Sequence, residues 1–276
     1  MLSRISLLAL GLLFAMQAIA DDSRPFQPPM ACQYQTAMMR RLALLGAFDV
    51  PPAINTLMVN VIDGKLPQVR QQLNTMPTAD AARWRQSTLI IATYANNPTI
   101  VKALLNDGAA VDGSGWMPSL KQSFHDQAVE DIKKDPNWET SPNPITDFKE
   151  AAVLSFPVKA GLDGTALIIA ARCNDVATLD VLLRQHADAA VNPFRNVMNA
   201  LEASVSLGNT AAVQHLLEHG ADACAEDRLI HRRQLERKMN HFSTIADWGR
   251  RKKLPDDVVA GLTCPAFDSA HSESRQ

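Results

Sequence analysis

The feature that most constrains this chain is an internal repeat with a period of 32 to 34 residues. Leu57 and Leu89 occupy the same position of two similar segments 32 residues apart, and Leu167 and Leu201 do so 34 residues apart. Each segment contains two short apolar stretches separated by a turn, which predicts a helical hairpin. Because one hairpin leaves apolar side chains uncovered until a neighbour stacks on it, the pattern predicts an array of stacked hairpins.

These segments resemble the ankyrin repeat. The clearest copy reads Gly-Thr-Ala-Leu-Ile-Ile-Ala-Ala over residues 164–171, continues with a second apolar stretch from Val176 to Leu183, and ends in His186-Ala187-Asp188. It is similar to the ankyrin pattern T-x-L-x-x-A-A, a turn, V-V-x-x-L-L-L and G-A-D. The resemblance implies an all-α ankyrin-repeat solenoid with N- and C-terminal helical caps and one inserted segment. Copies are expected near residues 55–86, 87–113, 164–190 and 198–224.

The regular spacing fails between the second and third copies. Leu89 and Leu167 are 78 residues apart, one period plus about 45 residues, so residues 115–162 are predicted to be an insertion. An amphipathic helix is predicted at its start, with Leu120 and Phe124 on one face, followed by a proline-rich loop. The segment is either a degenerate repeat with a long surface loop or an arm beside the binding face.

The two ends of the array are predicted to carry caps. Prolines predict an extended leader over residues 21–35, and a helix over residues 36–47 is expected to cap the first repeat. We predict helices in a C-terminal cap over residues 227–265 and a disordered tail over residues 266–276.

Residues 1–20 are typical of a secretory signal peptide. Arg4 precedes an apolar stretch from Ile5 to Met16, and Ala18-Ile19-Ala20 has the small-x-small cleavage pattern before Asp21. The apolar stretch is too short for a stable membrane anchor, although an uncleaved signal-anchor is an alternative. We therefore predict export to the periplasm of a Gram-negative-type bacterium.

The chain has four cysteines, an even number, and in an oxidising compartment this favours disulfides over metal binding or redox use. Cys224 and Cys264 flank the same C-terminal segment and are the predicted pair. Cys32 and Cys173 then remain for a second bridge. Four cysteines allow three connectivities, and the sequence does not choose among them.

No arrangement of residues in the sequence predicts an enzyme. Phosphate-binding glycine loops and the G-x-S-x-G motif are absent. His215 and His219 have metal-ligand spacing on one predicted helix, but the sequence places no acidic or cysteine partner beside them. We therefore predict surface histidines, no metal, no cofactor and no catalytic residue. An enzyme with its site in residues 115–162 remains an alternative.

Charge does not predict a nucleic-acid partner. Without Arg4 the chain has 26 Lys and Arg against 29 Asp and Glu, so it is close to neutral. Basic residues are densest in the C-terminal cap. They form either a contact with an anionic protein or with lipid head groups, or a solvated surface. The candidates for that contact are Arg232, Arg233, Arg250 and Arg251.

The resemblance to ankyrin arrays implies a protein partner held by the turn tips between repeats and by the inner face of the first helices. Trp116 and Phe194 fall at tips, where large aromatic side chains are typical binding hot spots. Arg195 follows Phe194, and Trp138 lies in the proline-rich loop. The alternative is that Trp116 and Phe194 pack under the insertion or the next tip.

The sequence therefore predicts a monomeric, non-enzymatic scaffold or adaptor in the periplasm, without a stable membrane anchor. An immunity protein that neutralises a toxin delivered to the periplasm is the first alternative.

Overall fold

The helices of the computed structural model follow the apolar stretches of the repeats. The structure describes residues 28–115, 118–124, 126, 164–191, 198–236 and 243–265. Twelve helices lie wholly within these residues: α1 (Pro28–Leu44), α2 (Pro52–Ile62), α3 (Leu66–Asn74), α4 (Thr78–Tyr94), α5 (Pro98–Asn106), α6 (Ala166–Arg172), α7 (Val176–Arg184), α8 (Ala200–Leu207), α9 (Thr210–Glu218), α10 (Ala223–Glu236), α11 (Ile245–Arg251) and α12 (Asp256–Gly261). The described residues contain no strand, and none of their helices is long and apolar enough to cross a membrane.

Ten of these helices form five hairpins, α2/α3, α4/α5, α6/α7, α8/α9 and α11/α12. The first helices α2, α4, α6, α8 and α11 pack side by side in one row, and α5, α7, α9 and α12 form a second, outer row. The apolar side chains of both rows make one continuous core, which includes Leu57, Leu89, Leu167 and Leu201. The fold is an all-α ankyrin-repeat solenoid.

Each hairpin turns through one residue with a left-handed backbone. The φ angles are 74° at Gly64, 55° at Asn96, 53° at Asn174, 75° at Gly208 and 57° at Lys253. In the second hairpin the amide of Asn96 donates to the carbonyl of Thr93 and the next amide donates to Ala92, which satisfies the last carbonyls of the first helix. The other four turns repeat this pair of hydrogen bonds.

The fifth hairpin lies inside the segment for which the sequence predicted only a cap. Residues 245–261 form α11 and α12, and α11 packs on α8 as one repeat packs on the next. Thr244 begins α11 with a capping box in which its hydroxyl accepts from the amide of Asp247. Lys253 stands where glycine or asparagine is usual, which is one of two reasons why the sequence did not indicate a repeat here.

Polar side chains at the turns join consecutive repeats. The side-chain amide of Asn209 donates to the carbonyls of Ala171 and Arg172 at 2.7 and 2.8 Å. In the other direction, the side-chain oxygen of Asn174 accepts from the amide of Ala212 at 2.9 Å. The third and fourth repeats are therefore held by hydrogen bonds as well as by apolar packing.

Helix α1 is longer than predicted and does more than cap the first repeat. It begins at Pro28, inside the predicted extended leader over residues 21–35, because a proline in the first helical turn has no amide to satisfy. It ends at Leu44, before the predicted end at residue 47.

Three residues on one face of α1, spaced four apart, each hold a different repeat. Arg40 forms two hydrogen bonds with the carboxylate of Asp63 at the end of α2, at 2.6 and 3.2 Å. The Thr36 hydroxyl donates to the carbonyl of Tyr94 at the end of α4, at 2.7 Å. Cys32 forms a disulfide with Cys173 after α6. We call Cys32, Thr36 and Arg40 the N-terminal clasp.

The Arg40 guanidinium, with further help from Lys65, lowers the pKa of Asp63 to about 2. Because the folded pKa lies below the unfolded value, the stabilisation is present above pH ~4 and is lost as the pH falls toward the folded pKa. Asp63→Asn should lower the free energy of unfolding by about 1 kcal/mol near neutral pH, since Arg40 is partly exposed. The difference in free energy of unfolding between Asp63→Asn and the wild type should decrease at acidic pH. Urea unfolding of both proteins over a pH series measures it.

The matched control is Asp49→Asn, at an exposed aspartate. This variant should follow the wild type at every pH. If Asp63→Asn were as stable as the wild type at neutral pH, the ion pair between Arg40 and Asp63 would make no net contribution to the free energy of unfolding.

Helix α10 lies between the fourth and fifth hairpins and supplies two buried carboxylates. Glu226 accepts a hydrogen bond from the side chain of Asn199, the residue that caps α8. Asp227 accepts from the amide of Ile245 at 2.6 Å, at the start of α11. Each carboxylate therefore accepts a hydrogen bond at the N-terminus of a helix, α8 or α11, where a negative charge is favourable. The Cys224–Cys264 disulfide, the predicted pair, ties the start of α10 to the end of the fifth hairpin.

Candidate protein-binding edge

Two turn tips lie next to each other on one edge of the solenoid. They are residues 107–115, which follow α5, and residues 185–191, which follow α7. We call these two segments the tip edge. Each tip begins with a left-handed residue, Gly108 or His186, that ends the outer helix and redirects the chain.

The first tip is fixed by one side chain of α4. Gln86 donates through its side-chain nitrogen to the carbonyls of Ala110 and Gly113, at 3.0 and 2.8 Å. Its side-chain oxygen accepts from the amide of Ala110 at 2.8 Å. Three hydrogen bonds thus order this loop before any partner binds. Without them, the free energy of binding would include the entropic cost of ordering the loop.

The two tips are also bonded to each other. The carboxylate of Asp112 accepts from the amide of Asp188 at 3.0 Å, although the two residues are separated by the insertion in sequence. The Asp188 carboxylate accepts from the amide of Ala190 at 2.8 Å and tightens the second tip. Ser114 forms an antiparallel bridge with Thr165, the cap of α6. The tip edge is therefore one preorganised surface.

Glycine allows the chain to leave the first tip close to α4. A Cβ on Gly115 would overlap the side chain of Ile90 and approach the backbone of α4 at 3.0 Å. Beyond it, residues 118–121 return to the N-terminal end of the array, where the Asp49 amide donates to Ser119 and the Lys121 amide donates to Ala47. Leu120 is buried there, while most of the predicted insertion lies outside the described residues.

The inner helices of the third and fourth repeats are closed to a partner. Every residue from Ala166 to Ala171 in α6 is at most 1% exposed, and those from Ala200 to Val205 in α8 are at most 3% exposed. The sequence predicted binding through the concave face as well as the tips. This burial corrects that expectation for α6 and α8, because their side chains cannot meet another protein without rearrangement.

The sequence matches no protein-family model and no curated protein. Among the solved structures similar to the chain is the human ASB11 ankyrin repeat domain, with 16% identity, 75% of this chain and 81% of that chain covered, and a TM-score of 0.38. Another is the ankyrin repeat domain of Bcl-3, a unique member of the IkappaB protein family, with 20% identity, coverage of 75% and 96%, and a TM-score of 0.30. Neither likeness carries information about what this chain binds.

The predicted partner contacts lie outside the residues that the structure describes. They are Trp116, Trp138, Phe194 and Arg195. Two of them directly continue the described tips: Trp116 follows Gly115, and Phe194 comes shortly after Val191. Their assignment to the tip edge therefore stays a prediction.

The predicted basic residues are only partly described. Arg250 and Arg251 are exposed on α11, and the side chains of Arg232 and Arg233 lie outside the described part of the chain. Arg250 forms an ion pair with Asp247 at 2.9 Å, and Arg251 donates to the carbonyl of the same residue at 3.4 Å. These contacts within one helix favour the solvated-surface interpretation for α11 over a contact with an anionic protein.

Sequence reasoning missed the residues that organise the tip edge. The sequence placed Asp112 and Asp188 in the repeat pattern without a role for their carboxylates, and it did not single out Gln86. The aspartates could have been found from the sequence, because three copies of the repeat end in Ala-Asp or Val-Asp after the outer helix. Asp222 is the third case, and its carboxylate accepts from the amide of Cys224 at 2.8 Å.

A polar cluster outside the tip edge combines the two histidines noted in the sequence with a carboxylate that was not predicted. Asp180 of α7 lies beside the histidine pair of α9, with its Oδ1 atom 3.9 Å from Nε2 of His215. The rings of His215 and His219 are 4.3 Å apart between centroids. Burial lowers the pKa of His215, and the neighbouring His219 acts in the same direction.

Proposed function

We propose that this chain binds another protein through the tip edge and acts by holding that partner. The observation that carries the proposal is the pair of tips fixed by Gln86 and by the Asp112–Asp188 hydrogen bond. A loop ordered before binding loses little further entropy when a partner docks, so its contacts contribute more fully to affinity. The closed inner helices α6 and α8 favour the tips over the concave face.

We propose further that the protein works in the periplasm as a scaffold or adaptor. Residues 1–20 have the pattern of a signal peptide. All four cysteines are paired in two disulfides, which persist in oxidising compartments and are rare in the cytosol. These features support export, and a binding role there requires no cofactor.

The test is capture from a periplasmic extract, with the chain carrying a C-terminal tag. The mature protein is expected in that fraction with Asp21 as its first residue. Mass spectrometry should identify one partner retained in stoichiometric amount. Changing Trp116 and Phe194 together to Ala should weaken its binding at least ~30-fold, the effect of losing a hot spot of about 2 kcal/mol.

The matched control is Lys102→Ala, at an exposed residue of the outer helix α5 that lies away from the tips. It should retain the partner fully. Retention that is unaffected by the tip variant, or is lost in Lys102→Ala, would contradict the tip edge as the binding surface. A captured toxin would identify the immunity version of this function, and a captured enzyme or structural protein would identify the scaffold version.

A further inference from the structure

The outer row of helices brings together three metal-ligating side chains from two repeats. His215 lies on α9, His219 is the residue that caps the end of this helix, and Asp180 lies on the neighbouring helix α7. One ligand atom from each residue can be chosen so that all three lie within 4.8 Å of one another. The cluster is on the outer row, and none of its three residues belongs to the tip edge.

The hydrogen bonding of His219 leaves one ring nitrogen ready to bind a metal. Its Nδ1 atom is 2.8 Å from the carbonyl oxygen of His215. A carbonyl oxygen only accepts, so Nδ1 carries the proton and the lone pair is on Nε2. Metal-binding histidines are usually oriented in this way, by donating their other ring nitrogen to a carbonyl or carboxylate.

The ring of His215 presents a nitrogen without a protein partner. Its Nε2 atom is buried and makes no hydrogen bond. The nearest carboxylate oxygen, Oδ1 of Asp180, is 3.9 Å away, which is too long for a hydrogen bond. Two ligands of a tetrahedral ion with bonds of about 2.1 Å are about 3.4 Å apart. A small movement would therefore let both atoms bind one ion.

We propose that His215, His219 and Asp180 form a binding site for a divalent transition-metal ion of the zinc class. Two imidazole nitrogens and one carboxylate oxygen suit Zn²⁺ and its neighbours better than Ca²⁺ or Mg²⁺, which prefer oxygen ligands alone. Three protein ligands leave the fourth position to water or to a side chain of another protein. The histidine spacing is visible in the sequence, but only the packing of α7 on α9 supplies the carboxylate.

Two charged neighbours set the affinity of the site. Arg184 competes for the carboxylate, because its Nε atom donates to Oδ1 of Asp180 at 2.9 Å. The Arg184 side chain is 75% exposed, so it can turn into solvent at small cost when the ion arrives. Glu218 lies on the other side, with Oε2 3.9 Å from Nδ1 of His215, and adds negative charge near the site.

A metal bound here would link the third repeat to the fourth. Asp180 belongs to α7, and the two histidines lie on α9 and at its C-terminal cap; these helices pack directly in the outer row. The ion would bind the folded chain and not the unfolded one, since unfolding separates the ligands. Zinc is therefore expected to raise the melting temperature with increasing metal concentration.

The experiment uses residues 21–276 after removal of metal by a chelator. Isothermal titration with ZnCl₂ should give one ion per chain, and thermal melting followed by circular dichroism should show stabilisation by zinc. His219→Gln and Asp180→Asn should each weaken zinc binding by about ten- to a hundredfold and reduce the stabilisation at a given zinc concentration. Because His219 is exposed and Asp180→Asn preserves shape, both variants should melt like the wild type without metal.

Arg184→Gln and His186→Asn make the test specific. Arg184→Gln removes the competing cation while keeping all three ligands, so zinc should bind several-fold more tightly. His186→Asn removes a different exposed histidine and should leave the titration unchanged. Absence of zinc uptake by the wild type, or uptake that is the same in His219→Gln and Asp180→Asn, would overturn the proposal. Weaker binding by Arg184→Gln would also count against it.

Discussion

Replacing both Cys32 and Cys173 with Ala is expected to lower the free energy of unfolding by about 5 kcal/mol. The two cysteines are 141 residues apart in sequence, and their bridge restricts the unfolded chain over that whole length. In the folded state it holds α1 against the end of α6, across the first two repeats. Solenoid repeats contact only their neighbours, so this bridge is a long-range tie in a fold built from local contacts. Urea unfolding monitored by circular dichroism gives the value.

The same substitution of Cys224 and Cys264 is the matched control. These cysteines are 40 residues apart, and the entropy argument then gives about 4 kcal/mol. The Cys32/Cys173 variant should therefore be the less stable of the two. The opposite order would show that the N-terminal clasp stabilises the fold less than the C-terminal bridge, and that loop length does not decide the effect.

The repeats could be predicted because each one carries its own information. Leu57 and Leu89 recur at the spacing of one hairpin, as do Leu167 and Leu201, and their burial in the structure follows from that spacing. The left-handed turns at Gly64 and Gly208 are equally visible, since glycine is the usual residue there.

Features that depend on contacts between distant segments could not be predicted. Thr36, Tyr94 and Asp63 have no sequence pattern that relates them, and only the path of α1 across the repeats brings them to the clasp. The helices of the fifth hairpin were predicted within the C-terminal cap, but their arrangement as a further repeat was not, for a different reason. Helix α10 separates it from the fourth repeat, so its spacing falls outside the expected period.

The candidate binding edge was predicted in position but not in detail. Tips follow from where the outer helices end, and Gly108 marks one of those ends. The hydrogen bonds of Gln86 to the first tip depend on α4 lying beneath residues 110–113. A glutamine within an apolar helix gives no such indication by itself. In the same way, the sequence showed the spacing of two histidines but predicted no metal, because only the folded structure places Asp180 beside them.

The second large effect concerns the fifth hairpin. Ile245→Ala is expected to lower the free energy of unfolding by about 3 kcal/mol, because the side chain is completely buried and its loss leaves a cavity. Ile245 is the first residue of α11, and its amide also donates to the buried carboxylate of Asp227. The substitution keeps this backbone hydrogen bond, so the measured loss reports the packing of α11 in the array. Urea unfolding at neutral pH measures it.

Leu44→Ala is the control with similar chemistry in a different environment. Leu44 is 60% exposed at the end of α1, and its truncation should change stability by no more than about 0.5 kcal/mol. If Ile245→Ala were as mild as Leu44→Ala, α11 would be a loosely attached cap. A loss near the expected value, in a single transition shared with the rest of the chain, would instead make α11/α12 a structural member of the solenoid. The array would then extend one hairpin beyond the four repeats that the sequence predicts.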